Sequence, residues 1–114
     1  MSKLEADKKK MMDEIAANDF AKLNGAIIRT IGNIFSSKWF KVSDLLVAFR
    51  DKDESDLHFS FDYLQQCGLV HVRELESKDA VEINDFALYE VEARLTAEGI
   101  KLLMCRKKDE LIEI

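Results

Sequence analysis

Phe20, Leu23, Ile27, Ile31 and Ile34 recur at steps of three and four, the spacing that gathers side chains on one face of an α-helix. Ile28 and Phe35 widen that stripe. The helix is expected to begin at Asn18 or Asp19, whose short polar side chains can accept hydrogen bonds from the unpaired amides of a first turn, and to close at Ser36-Ser37. Upstream, Leu4, Met11, Met12 and Ile15 predict another helix, too polar to form a core alone and free to lie on the domain or on a second subunit. A frayed extension is the alternative. The chain therefore divides into an N-terminal helical extension, 1–17, and a domain, 18–114.

Beyond the first helix, Lys38-Trp39-Phe40-Lys41 carries an apolar pair across to Ser43, the expected N-cap of a short helix over 44–50. Trp39 is read as a core plug rather than a binding residue. Arg50-Asp51-Lys52-Asp53-Glu54 is a charged turn, with Ser55 or Asp56 capping the next helix. Leu57, Phe61 and Leu64 share one face of that helix, and Gly68 stops it.

Two strands are predicted next. In residues 69–75, Val70 and Val72 oppose His71 and Arg73; in 87–95, Ala87, Tyr89, Val91, Ala93 and Leu95 oppose Glu90, Glu92 and Arg94. Residues 76–86 between them are polar and predict a long hairpin, with Val81-Glu82-Ile83 pairing near its tip. Thr96 caps a final helix carrying Ile100, Leu103 or Met104, and Leu111 on one side. Residues 111–114 fit either a helix end or a short strand.

The length of 114 residues and the 47% hydrophobic content suit one domain with a modest core. No apolar run approaches the roughly 18 residues of a membrane span, and the first residues lack the apolar core of a secretion signal, so a cytoplasmic protein without a membrane partner is expected. Cys67 and Cys105 lie in apolar, helical surroundings with no CxxC and are expected to be buried free thiols; Cys67 and His71 have a ligand-like spacing, but no second pair sits nearby to complete a metal site.

Helix, short helix, turn, helix, hairpin, helix is an order that resembles a winged-helix domain. The phrases that carry it are Asp44-Leu45-Leu46 with Phe49, then Tyr63-Leu64-Gln65-Gln66-Cys67-Gly68-Leu69-Val70, then Leu95-Thr96-Ala97-Glu98-Gly99. The last is similar to the entry to the final helix in MarR-like and PadR-like bacterial regulators. The resemblance implies an α+β, mainly helical winged helix with extra N- and C-terminal helices. It also implies a DNA-binding transcription regulator of bacterial or phage type acting as a homodimer.

Charge complicates that expectation, because DNA affinity comes largely from lysines and arginines that neutralise phosphates. The chain has a net charge of −5; residues 50–66 carry −3 and residues 70–98 carry −5, so the helix and hairpin that should meet DNA are the most acidic parts. His58, Ser60 and Gln65 remain as candidates for base edges, with Lys38, Lys41, Arg50, Lys52, Arg73, Lys78 and Arg94 for phosphates. The alternative is a winged-helix module that binds protein instead, with Phe59 and Tyr63 as an aromatic pair for the partner. No nucleophile-base-orienter set, phosphate loop or four-ligand metal set is present in the sequence, so neither an enzyme nor a cofactor is expected.

Overall fold

Ser2 accepts a hydrogen bond from the Glu5 amide and opens a helix that runs unbroken from Lys3 to Thr30 (α1) in the computed structural model, which describes residues 2–114. Asn18 and Asp19 therefore sit inside the helix rather than at its start. The segment before them is rich in alanine, lysine, methionine and glutamate, all good helix formers, and Ser2 already supplies the cap. Every described residue up to Asp19 is exposed, whereas Ile27, Ile28 and Ile31 are fully buried. The last turn, Ile31–Phe35, widens to a π-helical turn before Ser36 breaks it with φ 56°. That wider turn rotates the apolar stripe, so Ile34 faces outward while Phe35 stacks on Phe40 at 4.3 Å.

A two-residue strand, Phe40–Lys41 (β1), leads into helix Val42–Leu46 (α2), which tightens into a 3-10 turn over Val47–Phe49. Lys41, not Ser43, is the N-cap residue, and Asp53, not Ser55 or Asp56, precedes helix Glu54–Gln66 (α3). Leu57, Phe61 and Leu64 are buried as their spacing requires. Gly68, at φ +73°, reverses the chain into strand Val70–Glu74 (β2).

Strand Val91–Leu95 (β3) pairs antiparallel with both others, giving the order β1-β3-β2 and aligning Phe40 and Val72 on either side of Ala93. Phe40, Val70, Val72, Val91, Ala93 and Leu95 bury the inner face against the helices. β3 is shorter than its alternation predicts. Glu90 Oε1 accepts from the Ala87 amide at 2.9 Å and closes a 3-10 turn that leaves Tyr89 in solvent.

The β2–β3 connection does not project. It turns at Ser77-Lys78, returns alongside β2 through an Arg73–Ala80 bridge, and inserts Ile83 and Leu88 fully into the core. The chain is thus an α+β fold, mainly helical, with a small antiparallel sheet. Among the described residues, no helix is long and apolar enough to cross a membrane.

Thr96 Oγ1 accepts from the Gly99 amide at 3.0 Å and donates to the Gly68 carbonyl at 2.6 Å, tying helix Ala97–Leu103 (α4) to the α3–β2 corner. Gly99 and Leu102 face inward, while Ile100 and Met104 face solvent. α4 stops before Leu111 because Cys105 takes φ 59°. Residues 111–114 form neither a helix nor a ladder strand; they lie on α1. The Glu113 amide donates to the Ala21 carbonyl at 2.9 Å, Asn24 Nδ2 to the Leu111 carbonyl at 2.9 Å, and Arg29 Nη1 to the Glu113 carbonyl at 2.8 Å.

Gly25 makes this contact possible, since a Cβ there would stand 1.7 Å from the Glu113 carbonyl oxygen. Gly25→Ala is expected to displace the tail and cost about 1–3 kcal/mol, the range for overpacking a filled site. Urea unfolding of the substitution in the full chain and in a chain lacking residues 111–114 checks the cause. In the shortened chain the penalty should disappear.

Candidate functional site

The helix expected to read DNA, α3, is enclosed on three sides. Ser60 lies among the core residues with no exposure, so it cannot reach a base edge. Gln65 donates from Nε2 to the Val81 carbonyl at 2.7 Å and accepts the Ile83 amide at 2.9 Å. His58 Nε2 lies 3.0 Å from the Ile83 carbonyl and 3.1 Å from that of Phe86. These residues fasten the β2–β3 connection to the protein's own helix, which occupies the polar atoms assigned to DNA. The residues of α3 left exposed, among them Glu54, Asp56 and Phe59, include no base.

On its third side α3 meets α1 through aromatic rings. Phe20 lies 5.1 Å from Phe59 and 5.3 Å from Tyr63. Tyr63 is half-buried and its hydroxyl donates to the Asp109 carboxylate at 2.8 Å, so it belongs to the packing rather than to a free aromatic pair. Burial and that hydrogen bond push its phenol above the ordinary value. Phe59 alone remains open, 64% exposed at the rim of a groove of about 830 Å³ between α1 and α3. Lys52 lines this groove too, and Arg50 is exposed in the turn before it.

The other phosphate candidates converge elsewhere. Because strand residues alternate, Trp39, Lys41, His71, Arg73, Glu92 and Arg94 all lie on the outer face of the sheet, opposite the core. Arg73 stacks its guanidinium 3.8 Å from the centroid of the Trp39 ring, with Arg94 at 5.8 Å and the His71 ring at 6.4 Å. Trp39 is therefore a half-buried floor for cations and not a core plug. Lys78 reaches this face from the connecting turn, and Lys38 precedes β1 in solvent.

Glu92 is the one acid among these residues. It is 7% exposed, accepts from Arg73 Nε, and lies 3.0 Å from Lys78 Nζ. Burial pushes its carboxyl up, but the hydrogen bonds and charges of Lys78 and Arg73 outweigh burial and hold it below the usual carboxylate range. One carboxylate thus positions two cations, leaving the face with an excess of positive charge. Among the described residues, Lys38, Lys41 and Arg94 form no ion pair within the chain.

The cations of this face stand out in the sequence, whereas Trp39 reads there as a core plug and Glu92 only as part of the polar side of a strand. The signal was present: once β1 and β2 flank β3, alternation alone puts Lys41, Arg73 and Glu92 side by side. Of the two cysteines, Cys67 is half-buried, and burial pushes its thiol up; Cys105 is exposed rather than buried because it sits in the turn that ends α4.

The depressed Glu92 carboxyl stabilises the fold at pH values above the unfolded-state pKa of about 4.3, and this stabilisation fades as pH falls through the lower folded-state value. Glu92→Gln is expected to lower stability at pH 7 by ~2 kcal/mol, the scale of charge-assisted hydrogen bonds. Denaturation from pH 7 to pH 3 checks the sign: the two proteins should converge at the acid end.

No family model, no curated protein and no solved structure matches the chain.

Proposed function

We propose that the chain is a winged-helix protein of regulator type that binds DNA with the outer face of its sheet, and that α3 does not enter the major groove. The order helix, strand, two helices and an antiparallel strand pair, with the first strand docked beside the last, supports the winged-helix reading. The observation that carries DNA binding is the convergence of Lys41, Arg73 and Arg94 on one face around Trp39, with Lys38 and Lys78 beside it.

The mode follows from the chemistry of that face. Lysine and arginine neutralise phosphates, and the Trp39 ring holds the Arg73 guanidinium at the outer face of the sheet, 3.8 Å from its centroid. Glu92 limits the motion of Arg73 and Lys78 and so lowers the entropy lost when they engage a polyanion. Exposed acids such as Glu54 and Asp56 gather on α3 and the turn before it, whereas the outer sheet face carries Glu92 beneath two cations, which favours the sheet as the surface that meets DNA. Such contacts fix position without reading bases, so the expected binding is to the backbone.

Protein binding is the second reading, and the exposed Phe59 at the α1–α3 groove is the observation that favours it. Partner recovery that is lost on Phe59→Ala, with no duplex bound at low salt, would establish it in place of DNA binding.

Fluorescence anisotropy on mixed-sequence duplexes tests the proposal. About four phosphate contacts give log K a slope near −3.6 against log salt. Lys41→Glu with Arg94→Glu should abolish binding. Absence of binding at low salt, or indifference to the reversed charges, would overturn it.

A further inference from the structure

Strand register arranges the outer face of the sheet in two rows. Lys41, Glu92 and Arg73 lie side by side across β1, β3 and β2, and Arg94 pairs with His71 in the next row. Continuing the β1 register by one residue sets Trp39 opposite Arg94, so this second row reads Trp39, Arg94, His71. The distances agree, since the Arg94 guanidinium lies 5.8 Å and the His71 ring 6.4 Å from the Trp39 centroid.

The two rows differ in chemistry. One holds charge, with Lys41 beside a Glu92 that is already paired to Arg73 and Lys78. The other holds three planar groups, an indole, a guanidinium and an imidazole, and no carboxylate. Among the described residues Arg94 forms no ion pair, and its Nε has no acceptor. Nucleobases stack on aromatic rings and on guanidinium planes, so the planar row suits base faces as the charged row suits phosphates.

A duplex uses only half of this. Its grooves are read by an element that enters them, and here Gln65 and His58 bind the β2–β3 connection to α3, which engages both such elements within the chain. Its bases are stacked on one another and closed to the planar row. An unpaired strand presents base faces and phosphates together.

We infer, resting on the assignment of the outer sheet face to DNA, that this face takes an unpaired nucleic-acid strand in preference to a duplex. Bases stack on Trp39, Arg94 and His71 while Lys41 and Arg73, flanked by Lys38 and Lys78, meet the phosphates. The Arg73 guanidinium now lies 3.8 Å from the Trp39 centroid; a base that takes its place there leaves it held by Glu92 for the phosphate.

Anisotropy of labelled strands and emission of Trp39, the one tryptophan of the chain, test this on the full chain at low salt. An oligothymidylate of about twelve nucleotides, a length within the usual site sizes, should bind about tenfold or more tightly than a duplex of equal length and quench Trp39. Polyphosphate, which has no bases, should leave the emission unchanged. An oligouridylate separates the two sources of unpaired strand: equal binding admits RNA, weaker binding selects DNA, and either supports the inference. Trp39→Leu should weaken oligothymidylate binding about tenfold and Trp39→Phe should keep most of it. His71→Ala, at an exposed position that the fold does not need, should weaken it severalfold, and all three should leave duplex binding within about twofold. A duplex bound as tightly as the single strand, unchanged Trp39 emission at saturation, or indifference to Trp39→Leu and His71→Ala would overturn the inference and leave the DNA-binding face standing. Failure of both strand and duplex to bind would overturn both.

Discussion

Gln65 acts as a substitute strand. Its side-chain amide donates to the Val81 carbonyl and accepts the Ile83 amide, pairing a helix with the backbone of the β2–β3 connection. With His58 at the Ile83 and Phe86 carbonyls, this pairing holds residues 81–86 against α3 and lets Ile83 enter the core with its backbone polar groups satisfied. Without it, a buried isoleucine would bring unpaired peptide groups out of water. The same bonds consume the polar side chains of α3. They leave the outer sheet face as a surface where Lys41, Arg73 and Arg94 come together.

Charge is therefore sorted by the fold in a way that totals conceal. The segment 70–98 is acidic as a whole, yet most of its acids fall in the connection between β2 and β3, while Arg73 and Arg94 remain on the strands. Glu92, the acid that shares their face, is buried beneath two cations and organises them. A local surface, not a net charge, decides which partner is attracted.

Much of the fold was legible in the chain because it rests on local periodicity. The stripe Leu57/Phe61/Leu64, the Gly68 reversal, the alternation in β2 and the Thr96 cap each follow from neighbours a few residues apart, and the structure contains all four. The differences arose where a competing local turn or a distant segment intervenes. Ile34 turned outward because a π-helical turn shifted the helical phase, Tyr89 because Glu90 closed a turn before the strand, and Leu111 because the tail docks on Gly25 of α1.

The sequence by itself determined most of the segments that are helical or extended, the main apolar stripes, and which residues carry positive charge. Only the tertiary structure decided which of those residues are available. Ser60, His58 and Gln65 look free along the chain and are enclosed in space, whereas Trp39, Lys41, Arg73 and Arg94 are scattered along the chain and share one face. The physical reason is that periodicity fixes direction relative to one element's axis, while availability depends on what packs against that element. That second quantity is set by strand register and by hydrogen bonds between segments far apart in sequence.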